Sequence, residues 1–264
     1  MPYQLMQHIK KLLLLIFLAP LFSNGQTNYQ PGTVVNLKGD SLHGFINYHE
    51  WGNNPESISF KAESAGAPTK FTPNDITSFS VSVGYLAEYK RYEGPISTDY
   101  TELEHLHNGR DTSFRLDTVF LKVLQKGKNL VIFSYTDNLK VRYFVVDNSG
   151  GQPKELIYRV YYNSSEENAT NKQAYENTFK SQLYSAATKA GVLTENLKNY
   201  IAKAEYREDD ILAIASKING IAATDPTKNN LSQPNPVHKT IAILGIIAIL
   251  AATIIGFASI HKLP

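Results

Sequence analysis

Hydrophobic and polar residues alternate with a period of two through much of residues 33–162, which is typical of half-buried β-strands. The clearest run has Phe79, Val81, Val83 and Tyr85 alternating with Ser78, Ser80, Ser82 and Gly84. Between the first two apolar runs, a Gly39-Asp40 pair predicts a two-residue hairpin turn, because glycine accepts the positive φ that such a turn needs. Since no helical pattern separates the runs, we expect an antiparallel sheet forming a sandwich or an open barrel.

The remaining strands are predicted from short apolar or β-branched runs separated by turn residues. The polar stretch between Glu93 and Phe114 shows no such pattern and is expected to be a long loop. The predicted strands cover residues 33–37, 42–48, 118–124, 130–135, 140–146 and 155–162.

After residue 166 the period changes to 3.6 residues, which predicts three amphipathic helices packed on the sheet. Gly191 is suited to end the first helix, and Thr194 is suited to cap the start of the second. The predicted fold class is therefore α+β, with an antiparallel β domain over 26–165 and a helical segment over 166–220. The predicted docking residues are Tyr175, Phe179 and Leu183 in the first helix and Ile211, Ile214 and Ile218 in the third.

The N-terminus has the parts of a secretory signal peptide over residues 1–25. Lys10 and Lys11 precede a short apolar run, and small residues at Ser23 and Gly25 suit cleavage after Gly25. The apolar run is shorter than the ~20 residues that a membrane-spanning helix needs. We therefore expect export.

The C-terminus is expected to form a membrane anchor. Residues 241–260 contain no charged side chain and would span ~30 Å as a helix, which is one hydrocarbon thickness. This predicts a transmembrane helix over 240–260, preceded by a Pro/Asn-rich spacer over 221–239 and followed by a tail over 261–264.

Small residues recur at every fourth position of the predicted membrane helix. Ala248, Ala252 and Gly256 would lie on one face and allow a second helix to approach closely. A homodimer through this face is one of the expected partnerships, beside the bilayer itself.

The charge balance argues against a nucleic-acid partner. The net charge is +2, but the four lysines of the two end segments account for it and leave about −2 on the part between them. The sequence contains no cysteine, which excludes disulfides, thiolate metal sites and cysteine nucleophiles. We expect an extracytoplasmic N-terminal domain on a single-pass membrane protein.

Chemical motifs are sparse. The sequence shows no P-loop, dinucleotide fingerprint, EF-hand loop or His-Glu-x-x-His, so we assign no catalytic residue, cofactor or metal. The best metal-ligand candidates nevertheless cluster in the polar loop, where a His-x-His pair on a strand would point to one side. These candidates are Glu102, Glu104, His105 and His107.

Tyrosines offer another hypothesis. The chain has 16 of them, and Tyr85, Tyr89, Tyr92 and Tyr100 lead into the polar loop. Tyrosine offers a flat apolar face with a hydroxyl, which suits binding of glycans or protein partners. The alternative is that these tyrosines are ordinary strand residues.

Residues spread through the predicted strands and turns form a set of motifs, namely Tyr29, Pro31, Gly32, Gly39, Gly44 and Trp51, then Phe120, Gly127 and Leu130, then Arg142, Tyr143, Phe144, Gly151, Glu155 and Leu156. Together these motifs resemble a family of exported proteins from Bacteroidetes-type bacteria, over roughly residues 29–220. The resemblance implies a β-rich envelope domain, often joined to an outer-membrane barrel, and brings no catalytic residues. The single apolar helix that we expect at the C-terminus differs from that pattern.

We therefore expect a membrane-anchored, extracytoplasmic binding or structural module of the bacterial cell envelope, with an envelope protein or a glycan as its partner. The alternative is an exported hydrolase or metal-dependent enzyme that uses the loop carboxylates and histidines.

Overall fold

The computed structural model describes residues 28–148, 150–163 and 173–221. Within these ranges twelve β-strands are followed by three α-helices. The strands are β1 (Tyr29–Asn36), β2 (Ser41–Asn47), β3 (Ile58–Lys61), β4 (Thr69–Phe71), β5 (Ile76–Ser82), β6 (Leu86–Ser97), β7 (Phe114–Lys126), β8 (Leu130–Thr136), β9 (Val141–Asp147), β10 (Lys154–Glu155), β11 (Arg159–Tyr162) and β12 (Gln173–Glu176). The helices are α1 (Thr178–Lys189), α2 (Glu195–Lys203) and α3 (Glu208–Asn219).

Ten strands form one antiparallel sheet in the order β10-β9-β8-β7-β6-β5-β1-β2-β3-β4. The sheet curves as a half-barrel, and β11 and β12 form a separate two-stranded ribbon. The predicted antiparallel β-rich fold followed by helices is confirmed. Of the two predicted architectures, the open barrel is the one that this sheet approaches.

The first hairpin forms where it was expected, but its turn is longer than the predicted two residues Gly39 and Asp40. The Asn36 N–H donates to the Asp40 carbonyl at 3.0 Å, which leaves Leu37, Lys38 and Gly39 between them. A side chain as well as glycine holds this turn. The Asn36 carboxamide oxygen accepts hydrogen bonds from the backbone N–H groups of Lys38 at 2.8 Å and Asp40 at 2.9 Å. Gly39 adopts a φ of +93°, which a side chain would disfavour. Strands β1 and β2 therefore leave the turn in a fixed register, with Val34 opposite Leu42.

An aromatic cluster fills one face of the sheet at β1–β6. Trp51, in the segment after β2, packs edge-on against Tyr48, Phe79 and Tyr89, with ring centroids 4.9, 6.1 and 5.6 Å away. Phe79 and Val81 are buried, as the alternating pattern predicted. Trp51 thus holds the segment after β2 against β5 and β6, which follow later in the chain.

A second cluster lies on the opposite face of β6–β9. Successive side chains of a strand point to opposite faces, so Phe120 belongs to the aromatic cluster while its neighbours Val119 and Leu121 belong to this one. Ile96 and Phe144 complete its centre and are fully buried. The middle of β7 is therefore buried on both faces, where the two core clusters meet.

The helices pack on β8 and β9, as the 3.6-residue period predicted. The predicted faces of α1 and α3 are buried, apart from Tyr175. Thr194 caps α2 as predicted, accepting a hydrogen bond from the Leu197 N–H at 3.2 Å. The shared core consists of Phe179, Leu183, Leu197, Ile201, Ile211, Ile214 and Ile218 from the helices and Leu130, Ile132 and Tyr143 from the sheet.

The Asn219 carboxamide fastens the end of α3 to the β7–β8 turn. Its oxygen accepts hydrogen bonds from the N–H groups of Asn129 and Leu130, both at 3.0 Å, and its nitrogen donates to the Leu130 carbonyl. A Cβ at Gly127 would overlap this carboxamide, so glycine is required there. The C-terminal end of the helical segment is therefore fixed at the β7–β8 turn.

Further local predictions are wrong. The strand predicted over residues 79–85 ends at Ser82, and the loop expected from Glu93 begins only after Ser97, because β6 continues to pair with β7. Residues 155–162 form two short strands instead of one, because Gln182 of α1 takes the place of a strand partner: its amide bonds the Glu155 carbonyl and the Ile157 N–H, both at 2.8 Å. Tyr175 is 53% exposed in β12 and is not part of a helix, since this segment pairs with β11. The helix begins only at Thr178.

The predicted signal peptide, spacer, membrane helix and tail lie outside the described residues, apart from Ile221. The same holds for the proposed dimer contacts Ala248, Ala252 and Gly256. No helix within the described ranges is long and apolar enough to cross a bilayer.

We predict that Phe179→Ala lowers the free energy of unfolding by about 3–5 kcal/mol, because a fully buried ring would leave a cavity between α1 and its neighbours. Tyr184→Ala on the same helix is the control. Tyr184 is 42% exposed, so its loss should cost less than about 1 kcal/mol. Urea denaturation measures both, and equal effects would show that the buried face of α1 has been misplaced.

Candidate functional site

Two clefts open at one end of the sheet, which we call the open end. Strand β6 ends there and β7 begins there, with Ser97 opposite Phe114. Strand β8 ends there and β9 begins there, with Thr136 opposite Val141. The clefts, an apolar groove and a polar cleft, are defined below by their residues.

The open end begins where β7 and β8 separate. Their pairing stops at Lys122 and Ser134. Asn54 fills the fork: its side-chain nitrogen donates to the carbonyls of Phe120 at 2.7 Å and Ser134 at 3.2 Å. Its backbone N–H and side-chain oxygen bond the Thr136 backbone at 2.8 and 3.0 Å. One asparagine therefore satisfies strand groups that would otherwise lack partners.

The polar cleft lies in this fork and has a volume of about 620 Å³. Arg115 forms its floor. The Arg115 Nε donates to Asp117 at 3.0 Å, and one Nη donates to both the Tyr135 hydroxyl and Asp137 at 3.1 Å. The guanidinium is thus held in a fixed orientation between two carboxylates.

Arg142 lies behind the polar cleft and is fully buried. Its guanidinium donates to Asp137 at 2.9 Å, to the Lys140 carbonyl at 3.1 Å and to the Ser97 carbonyl at 2.8 Å. A buried charge is tolerated only when it is paired and hydrogen-bonded, and these contacts meet that requirement for two of its three nitrogens. Arg142 thereby ties the start of β9 to the end of β6.

Ser97 continues this network toward the second cleft. Its N–H and hydroxyl donate to the two oxygens of Glu155, at 3.1 and 2.5 Å. Because β6 and β10 are four strands apart in the sheet order, this contact requires the sheet to curl strongly. The curl closes over the core cluster that contains Ile96 and Phe144.

A buried ion pair and an arginine–glutamate set complete the network. Lys140 and Asp99 approach to 2.6 Å, with side chains only 5% and 3% exposed. Glu176 of β12 accepts from Arg159 at 2.9 Å and, through both of its oxygens, from Arg110 at 2.7 Å. These contacts fasten the loop after β6 to the ribbon.

Three polar atoms of the network have no hydrogen-bond partner among the described residues. They are one Asp99 carboxylate oxygen, one Arg142 Nη and the Arg159 Nε. Each is buried, so each carries the cost of lost hydration without a compensating bond.

The apolar groove has a volume of about 700 Å³ and lies between the start of β7 and residues 152–159. Phe114 and Leu116 form one wall and are 61% and 77% exposed. Pro153 and Ile157 form the other wall, above a floor that includes Glu155. Two large exposed apolar side chains that line one groove form a contiguous apolar patch, and such patches are typical of surfaces that bind a partner.

The pKa values of the open end follow from burial and pairing. Burial raises the pKa of Asp137, but hydrogen bonds from Arg142 and from the backbone outweigh it, so the pKa lies below its ordinary value. Burial lowers the pKa of Lys140, and Asp99 offsets part of that effect. Burial raises the pKa of Tyr135 and also that of Tyr92, where Glu155 adds to the increase. The tyrosines therefore stay neutral and Asp137 stays ionised at neutral pH.

The metal-ligand candidates from the sequence are exposed and do not converge. Glu102, Glu104 and His105 lie on or beside a single 3-10 turn, and His107 lies 3.6 Å from Asp111 alone. The described residues contain no group of three or more His, Asp or Glu side chains placed to hold a metal ion.

The tyrosines that lead into the polar loop differ in burial and position. Tyr89 and Tyr92 are buried and serve the core, with Tyr92 donating to the Pro95 carbonyl at 3.2 Å. Tyr85 is 37% exposed and hydrogen-bonded to Tyr48, at a distance from both clefts. Tyr89 is therefore an ordinary strand residue, whereas Tyr92, although buried, also lines the apolar groove.

Sequence reasoning assigned no role in binding to the residues that build the open end. Asn54 and Arg115 belong to no motif, and Arg142 and Glu155 enter only among the residues of the family resemblance. The exposed Phe114 and Leu116 alternate with Arg115 and Asp117, which is a detectable signal of one apolar and one ionic face.

Comparisons of this chain with protein-family models, with proteins of curated function and with solved structures find no match.

We predict that the free energy of unfolding decreases between pH 7 and pH 3, and that this decrease is smaller in Asp137→Asn than in the wild type. Because the pKa of Asp137 is lower in the folded state, its contribution is complete above the ordinary value of about 3.9 and is lost as the pH falls through the folded value. Urea denaturation at pH 7 and pH 3 measures the loss.

Other carboxylates with lowered pKa values, such as Glu176, add to the acid sensitivity, so the difference between the two proteins isolates Asp137. Glu63→Gln, at an exposed position in the β3–β4 loop, should leave the loss unchanged. An equal loss in the wild type and in Asp137→Asn would contradict the assignment.

Proposed function

We propose that this chain is a membrane-anchored, extracytoplasmic binding module of the bacterial cell envelope and that the open end holds its partner. The anchor rests on the uncharged run over 240–260, and export rests on residues 1–25. The small residues Ala248, Ala252 and Gly256 support pairing of two such anchors as a further part of the proposal.

The observation that carries the proposal is the position of the open end relative to the C-terminal exit. Asn219 fixes the last helix at the β7–β8 turn, so the chain leaves the described domain beside Gly127. The clefts lie at the other end of β7, whose 13 residues span about 40 Å. Both clefts therefore lie far along β7 from the last described residues of the domain.

The apolar groove is suited to an apolar segment of another envelope protein. Phe114 and Leu116 present their side chains to solvent, while the ends of β6 and β7 beneath them are fixed by Ser97, Glu155 and Arg142. Rigid exposed anchors lose little conformational entropy on binding, which is the property that interface hot spots share.

We predict that a photoreactive residue at Leu116 forms adducts with an envelope component in intact cells, whereas one at Leu86 does not. The two leucines are a matched pair: they are 77% and 67% exposed, and they lie toward opposite ends of the paired strands β6 and β7. Gel mobility and mass spectrometry of the adducts provide the measurement.

Phe114→Ser should abolish the Leu116 adducts, because it removes the neighbouring wall of the groove without touching the buried network. Adducts of equal yield from both positions, or adducts that survive Phe114→Ser, would contradict binding in the groove.

A further inference from the structure

We propose that the polar cleft is a separate binding site for a neutral, polyhydroxylated ligand, namely a short oligosaccharide. The inference concerns a different surface from the apolar groove and does not depend on what that groove binds. It rests on the rigidity of the cleft, on its mixture of donors and acceptors, and on its charge.

The cleft walls come from three parts of the chain, and each is held in place. Asn54 fastens one wall to the β7–β8 fork, as described above. On the second wall, the Arg91 Nε donates to the Pro73 carbonyl at 2.8 Å, and Asp75 accepts from the Thr72 N–H at 2.8 Å. Because these contacts are already formed without a ligand, the cleft walls lose little conformational entropy when a ligand binds.

The floor offers donors and acceptors side by side. The second Nη of Arg115 makes no hydrogen bond or ion pair within the described residues, and the Asp117 side chain is 39% exposed. Asn138 accepts from Asn53 at 2.5 Å, which orients its amide nitrogen as a free donor. A sugar hydroxyl both donates and accepts, so neighbouring hydroxyls match a carboxylate beside a guanidinium and an amide.

The charge of the cleft excludes other ligand classes. Its lining carries the carboxylates of Glu56, Asp117 and Asp137 and the guanidinium of Arg115, and Arg142 lies behind Asp137. These charges leave no positive excess to attract an anionic ligand. A small cation is disfavoured as well, because Arg115 already occupies the position between Asp117 and Asp137. A neutral ligand rich in hydrogen-bonding groups remains.

The size and apolar parts of the cleft agree with this class. A volume of about 620 Å³ lies within the range of about 300–1,000 Å³ that is usual for small-molecule sites. Pro55, Pro73 and Leu139 line the same space and can contact the C–H faces of sugar rings.

The test uses the full-length protein in a detergent without a sugar headgroup, applied to immobilised neutral oligosaccharides of two to four hexose units. Uronic-acid oligosaccharides and a lysine-rich peptide are included for comparison. We expect binding to the neutral oligosaccharides alone. Asp117→Asn, which keeps the side-chain shape, should weaken this binding roughly tenfold or more by replacing an ionised acceptor.

Glu63→Gln removes one carboxylate from an exposed loop outside the cleft and should leave oligosaccharide binding unchanged. Phe114→Ser should also leave it unchanged, which separates this site from the apolar groove. Circular dichroism confirms that each variant is folded. The proposal is overturned if folded wild-type protein binds none of the neutral oligosaccharides, if Asp117→Asn binds them as tightly, or if the acidic or basic probes bind equally well.

Discussion

The buried guanidinium of Arg142 is the constraint on which the open end of the sheet depends. A charge that is fully removed from water is stable only if ionic and carbonyl partners surround it. Those partners come from the end of β6 and from the β8–β9 turn, so the chain must bring Ser97 and Asp137 to the same point. The curl of β6–β10 follows from that requirement together with the apolar cluster inside it.

Both clefts are consequences of this arrangement. Asp137 links Arg142 to Arg115 on the side of the polar cleft, and Ser97 links it to Glu155 on the side of the apolar groove. A continuous set of ionic contacts therefore supports two surfaces of opposite character from behind. Rigid elements hold binding groups more accurately than loops do, which favours recognition over conformational change at this end.

Local pattern predicted much of the fold, because hairpin turns and amphipathic helices are encoded by residues close in sequence. The Gly39 turn, the Thr194 cap and the buried face of α3 are examples. The open end could not be predicted in this way. Asn54 and Thr136 are 82 residues apart, and neither carries a signal of the other. The prediction that Tyr175 belongs to a helix was wrong for the same reason, because the strand that contains it depends on pairing with β11.

The central claim is that the protein binds through its open end. Hydrogen–deuterium exchange of the full-length protein in native envelope vesicles, compared with the purified protein in detergent, tests it most directly. The account predicts added protection confined to residues 54–56, 72–74, 92–97, 112–119, 135–139 and 152–159, which line the two clefts. Protection that appears on α1–α3 or on the first hairpin, and is absent from those segments, would contradict it.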